Sequence, residues 1–417
     1  MSYILRSAGF TPGGSPSWPL SQPPSWRGFA GVPAPGFSAG TIWWQPGDVL
    51  ALDFVNGRYM REGGAASLAA VLSASRTSPA TWFTQADVLR TFAANAPAIT
   101  DRGLYAGEQR INKCRNFNAN PTDLTGVAKA GNAAATLTLV DDTAELAAAG
   151  LGEVCTSGMA FKLDNSAGAT NAQAYVTGNS GNTNVHTMSV YMRSTGSVRM
   201  VLSSSGGTNW TGPAVYTRLS ATVTPANSSQ QLVIEAAAGK IVWFVLNQLE
   251  EAIFASPPIV TEGGTGTTRL ADAVTIPDFA ATAAASGLEG GFAGEAIVDV
   301  TRLADGTSRL LWDFGAGISD RACLGIAPDN TVELSVKAAG AGPVLNTAAL
   351  GSTGQYTLEW QVLSGASAIK VNGAVAASSS ATFTMPSLTD GYIGQSRSGA
   401  SHLNEALREL HLRGAAA

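Results

Sequence analysis

Apolar and polar residues alternate in short runs along most of this chain, and turn-forming residues separate the runs. DVLALDFVNGRYM (48–60) alternates on both sides of Asn56-Gly57, a pair that marks a tight hairpin. In GGAASLAAVLSASRTSP (63–79), Leu68, Val71 and Leu72 share helical spacing, which predicts a short helix ending before Pro79. From about residue 127 the period is two almost throughout. ATLTLVDD, MAFKLD, HTMSVYMRS, SVRMVLSSS, QQLVIEAAAG and KIVWFVLNQLE read as one series of strands. GFAGEAIVDVTRL, SRLLWDFG, TVELSVKA, QYTLEWQVL and LRELHLRG read as a second, with hairpin turns at Pro328-Asp329-Asn330 and Asn372-Gly373. Regular short strands with this punctuation predict sandwiches or jelly rolls.

The expected architecture is therefore mainly β. Two consecutive jelly-roll-like β-sandwiches, 127–262 and 263–417, follow an extended N-terminal arm (1–46) and a small mixed base region (47–126). Proline is dense in the arm and denies it helices and interior strands. Yet the arm carries four of the nine tryptophans: Trp18, Trp26, Trp43 and Trp44. Disordered tails are poor in aromatics, so these four are candidate anchors, either on the chain's own domains or on a partner.

Charged residues make up only 13% of the chain and the net charge is −5, with no Lys/Arg run. Nucleic acid is not an expected partner. No apolar run approaches the roughly 20 residues that span a bilayer, and the N-terminus does not read as a secretory leader. Cys114, Cys155 and Cys323 are far apart, so neither a metal nor a cofactor is expected. A soluble protein made in a reducing compartment is the expectation.

QLEEAIFASPPIVTEGGTGTTRLADAVTIP (248–277) sits between the two strand series. Adjacent strand residues point to opposite faces, so Glu250 and Glu251 cannot form the facing pair, about 5–9.5 Å apart, that glycoside hydrolysis requires. Pro257-Pro258 stiffens the exit and GGTGTT supplies a turn. The stretch reads as a domain joint, with one glutamate buried against Arg269 and the other solvated.

Two segments carry a resemblance. LDFVNGRYMREGG, SASRTSPATWF, LRTFAANAP and RGLYAGEQRIN (within 52–112) are similar to a motif of bacteriophage structural proteins, the head spike or fibre type. Gly57, Tyr59, Ser75, Arg76, Ser78, Asn95, Pro97, Gly103, Glu108 and Asn112 match as they stand, whereas Ala98 replaces an Arg and Ile111 a Thr. In the joint, Gln248, Leu249, Glu250, Phe254, Arg269, Asp272 and Val274 also match. In such proteins this string ends a carbohydrate-module-like jelly roll and opens a laminin-G/concanavalin-like sandwich. The resemblance implies a subunit of a tailed-phage or gene-transfer particle, assembled in the bacterial cytoplasm with capsid, portal or tail partners. It also implies a homo-oligomer, with three copies usual for fibres and five plausible at a five-fold vertex.

No P-loop, Gly-x-Ser-x-Gly or His-Glu-x-x-His string occurs, and catalysis is not expected. Adhesion to host surface polysaccharide is, because a sugar site needs only an aromatic face beside hydrogen-bonding groups. Trp210, flanked by Asn209 and Thr211 in the Gly-rich loop SSSGGTNWTGPAVY, is the candidate platform, with Tyr216 at the loop's end. Trp243, Trp312 and Trp360 alternate within strands and are expected in cores. The rival readings are a capsid decoration protein that binds no sugar and a polysaccharide depolymerase.

Overall fold

The computed structural model describes residues 43–303 and 306–415. Nearly all of its regular structure is antiparallel β-sheet, arranged as two sandwiches. No described helix is long and apolar enough to cross a membrane.

The first sandwich lies between residues 127 and 250 and packs two five-stranded sheets face to face. One sheet is ordered Val127–Gly131, Ala172–Val176, Leu232–Ala236, Val198–Leu202, Gly206–Trp210. The other runs Thr136–Asp141, Met159–Asp164, Ile241–Glu250, His186–Ser194, Thr217–Val223. Phe161 stacks on Phe244 at 5.2 Å in the core between them. The strand His186–Ser194 is buried on both faces, because the segment around the short helix Thr143–Ala148 covers its outer side with Leu146, Leu151 and Val154. Met188, Val190 and Met192 alternate into the core between the sheets, while Tyr191 joins the outer cluster.

The second sandwich faces a ten-stranded sheet against a seven-stranded one around Trp312, Phe314, Phe292 and Trp360. Trp312 and Trp360 are core residues as expected, with centroids 5.1 Å apart. Trp243 is not: it is half-buried on an outer face, with the Arg193 guanidinium 3.9 Å from its ring. The Asn372-Gly373 turn is a two-residue connection with φ of 51° and 81°, positive at both positions as a type I′ hairpin requires.

Strand pairing crosses the boundaries drawn from sequence. Asp48–Asp53, expected in a separate base region, lies beside the last strand, Ala406–Gly414, with Leu50 opposite Leu412 and Leu52 opposite Leu410. Gly103–Tyr105 pairs with that same strand, and Ser73–Ser75 extends the opposing sheet. Much of the base is thus part of the C-terminal sandwich, and the first sandwich is an insertion within it. Periodicity shows that a stretch is a strand; it does not show which sheet receives it.

Of the four candidate anchor tryptophans, Trp18 and Trp26 lie outside the described residues. Trp43 and Trp44 meet edge to face at 5.7 Å and are half-buried. Trp43 also contacts the His411 ring (6.0 Å) and lies under the Arg58 guanidinium (4.9 Å), so it packs at least partly on its own chain. Cys114, Cys155 and Cys323 are buried free thiols, and burial pushes their pKa values up to about 12, 12 and 11.

Candidate functional site

The segment joining the sandwiches is held by buried side chains. Asn112 donates to the carbonyls of Asn247 (2.9 Å) and Ile259 (3.1 Å) and accepts from the amides of Cys114 and Leu249. Asn118 reaches the same two carbonyls and accepts from Thr261 N at 2.9 Å. Gln248 accepts from Ile259 N at 2.7 Å. A proline-rich segment cannot satisfy its backbone by a regular ladder, so buried amide side chains take that role.

Glu250 is fully buried, and its Oε1 accepts from Gln248 Nε2 and Ser256 N, both at 2.8 Å. Glu251 is exposed, as expected for the solvated member. Hydrogen bonds from Asn184 and Asn182 hold its carboxyl below the usual range. The partner expected for Glu250 was wrong. Arg269 pairs with Asp272, three residues along, and so does Arg76; all three are buried. Asp272 also accepts from Gly107 N at 2.8 Å, and Arg269 donates to Glu108 O at 3.0 Å. Arg76 spends its other donors on the carbonyls of Ser78, Ala93 and Ala96. The segments around Arg76, Gly107 and Arg269 therefore meet in one Arg–Asp–Arg cluster.

Beside this joint lies an open groove of about 830 Å³. Its walls come from the hairpin Ala80–Phe83/Leu89–Phe92, the segment after the helix Thr143–Ala148, and the joint itself. Ser78, Thr91, Thr156, Thr265, Thr267 and Thr268 line it, together with Asn120, Glu153 and Glu262. Pro258, Ile259 and Val260 supply an apolar strip. Thr81, at the same wall, donates to Pro258 O at 2.6 Å and ties hairpin to joint. Glu153 accepts from Thr91 N and pairs with Arg90, contacts that keep its carboxyl below the usual range despite some burial.

Of the residues expected to form a sugar platform, three stay together and Tyr216 stands apart. Trp210 ends the edge strand Gly206–Trp210, half-buried against the first sandwich's core, with Asn209 and Thr211 exposed beside it. Tyr216 is buried in a different cluster and donates its hydroxyl to Asp142 at 2.7 Å; burial and that carboxylate raise its pKa well above the ordinary phenol value. It offers no face to a ligand. The groove escaped sequence reasoning because its walls come from three segments far apart in the chain, and isolated threonines carry no signal.

No family model matches the chain, and a search of curated proteins by sequence returns no match. Solved structures share parts of the β architecture. The CBM40 of the Ruminococcus gnavus IT-sialidase aligns at 14% identity and TM-score 0.28, over 33% of this chain and 83% of that one. The binding domain of botulinum neurotoxin DC, solved with rat synaptotagmin II, aligns at 9% and 0.27, over 34% and 35%. Mouse laminin alpha1 domains LG4-5 align at 10% and 0.23, over 55% and 81%.

Proposed function

We propose that this chain is a non-catalytic adhesive protein that binds polysaccharide in the groove beside its domain joint. The groove itself carries this reading. It is open, about 830 Å³ in volume, and it offers hydroxyls, an amide and carboxylates around an apolar strip, the mixture that sugar hydroxyls and ring faces require. Glu153 is held ionised by Thr91 N and Arg90, which suits a hydrogen-bond acceptor and not the general acid of a hydrolase.

We place the protein on a phage or gene-transfer particle, as a head spike or fibre subunit, on the resemblance carried by the segments that meet at Asp272. The Trp/Pro-rich arm (1–46) would attach it to capsid, portal or tail proteins. Edge strands Val344–Ala349 and Ala374–Ser379 carry the exposed Val344 and Val375, surface that a homo-oligomer would cover. Repeated copies would convert weak sugar contacts into firm attachment.

The test is retention of the purified chain on immobilised bacterial surface polysaccharides. Thr156 and Thr265 are exposed on the groove wall. Replacing both by Met removes two hydroxyls and adds bulk. The double variant should bind about tenfold more weakly or worse, with its melting transition unchanged. Binding equal to the parent protein would rule the groove out as the site.

A further inference from the structure

A second, smaller cavity of about 170 Å³ lies where the hairpin, the first sandwich and the second sandwich meet. Trp82 and Phe83 come from the strand Ala80–Phe83, Arg218 from Thr217–Val223, and Arg302 from the turn after Phe292–Val300. Phe254 and the backbone through Pro257 close one side, and Arg102, Thr301 and Asn404 add to the polar lining. Three guanidinium groups line this cavity and no carboxylate does.

Two observations point to an anion-binding site. Arg218 donates to Ser189 Oγ at 2.9 Å and to Ser256 O, and no carboxylate of the described residues lies within 4.0 Å of it. Burial pulls its pKa below the ordinary value, against the opposing pull of Tyr191 and Glu250. Arg218 is half-buried, and a guanidinium partly withdrawn from water gains from an anion beside it. Independently, Trp82 is only 6% exposed and its indole N–H has no acceptor, an uncompensated cost in a buried site. Arg102 pairs with Asp87, but that carboxylate is 82% exposed, so solvent screens the pair.

One planar anion would answer both groups. A carboxylate presents two oxygens matched to the guanidinium fork and can accept from the indole as well. Phe83, Phe254 and Tyr105 add apolar walls, with Trp82 stacked on Tyr105 at 4.1 Å, and Arg302 lies 3.7 Å above the Phe254 ring. The volume suits a single sugar ring. We propose that this cavity binds the carboxylate of an acidic sugar unit, with Arg218 and the Trp82 indole as its principal contacts. The sugar part of this assignment rests on the adhesion reading above; the anion part rests on the cavity alone.

The full chain is titrated with D-glucuronate, D-glucose and inorganic phosphate, while the tryptophan indole N–H signals are followed by NMR. Glucuronate should shift the one indole signal that Trp82→Phe removes, and glucose should leave it in place. Arg218→Gln should weaken glucuronate about tenfold or more, and Arg102→Gln, at a screened position, only a few-fold. Should Arg218→Gln fail to fold, Arg218→Lys keeps the charge without the fork and should still weaken binding. Equal responses to glucose and glucuronate, an unmoved Trp82 signal, or full affinity in the Arg218 variant would overturn the proposal. Tighter binding of phosphate than of glucuronate would contradict the carboxylate assignment. Glucuronate binding without any polysaccharide retention would sink the adhesion reading and leave the cavity standing. Polysaccharide retention indifferent to every Arg218 change, with no glucuronate response, would do the reverse.

Discussion

Asp272 carries the largest electrostatic responsibility of any single residue at the joint, since two buried guanidinium groups and an amide converge on its carboxylate. Replacing it with Asn keeps the shape but leaves two buried cations without a counter-charge. The expected cost is about 3–5 kcal/mol, the range for breaking a buried ion pair from one side, read from denaturant unfolding. A cost below about 1 kcal/mol, the worth of a surface pair, would show that the cluster is hydrated. The sequence disclosed that Arg269 and Asp272 belong to a joint and that one of the two adjacent glutamates is buried. It could not disclose their partners, because Arg76 lies almost two hundred residues from Asp272 and nothing local links them. The exposure of Trp210 was only partly legible for a related reason. A polar, Gly-rich neighbourhood marked it as exposed, while the strand pairing of Val198 with Trp210 turns part of the indole toward the core.

Among elements, the pairing of Asp48–Asp53 with Ala406–Gly414 brings its own pH dependence. His411 Nδ1 lies 2.7 Å from Asp48 Oδ2 across the two strands. Burial disfavours the imidazolium, but hydrogen bonds to Asp48 and Glu409 outweigh it and raise the pKa to about 9. The folded state therefore holds this proton more tightly than the unfolded chain, whose histidines titrate near 6.5. Its stabilisation is complete below about pH 6.5 and is lost as pH rises through about 9, a contribution on the order of 2–3 kcal/mol. Melting temperatures measured from pH 6 to 9.5 should fall across that window, and His411→Asn should flatten the fall. A parallel decline in the variant would assign the effect to other groups. Turn chemistry was the most legible feature at this scale: Asn372-Gly373 and the turn ending in Asn330 (φ 67°) both connect neighbouring strands as their residues require.

At the scale of the whole molecule, the chain's path decides which parts can stand alone. A self-contained C-terminal sandwich over 263–417 would let a fragment starting near Gly263 fold by itself, and the strand order does not allow that. Such a fragment lacks Asp48–Asp53, and with it Leu50, Leu52 and Phe54, all buried in the second sandwich's core. It should express as an unfolded or aggregating chain, since an apolar sheet edge would be bared. A fragment from about Cys114 to Glu262 holds both five-stranded sheets and should fold cooperatively. Circular dichroism with thermal melts of both fragments checks the pair, and a cooperative transition in the C-terminal fragment would contradict this architecture. Two sandwiches were legible in the strand series; the insertion of one into the other was not, because it depends on pairing between the two ends of the chain.

Binding of polysaccharide without cleavage can be read from a single incubation. Purified full-length protein is mixed with surface polysaccharide from candidate host bacteria, and bound protein and new reducing ends are measured on the same sample. Saturable binding is expected, lost in the Thr156→Met/Thr265→Met variant, with no new reducing ends over many hours. Shortened polysaccharide would identify a depolymerase, and absence of binding across the polysaccharides would leave a decoration protein that holds no sugar.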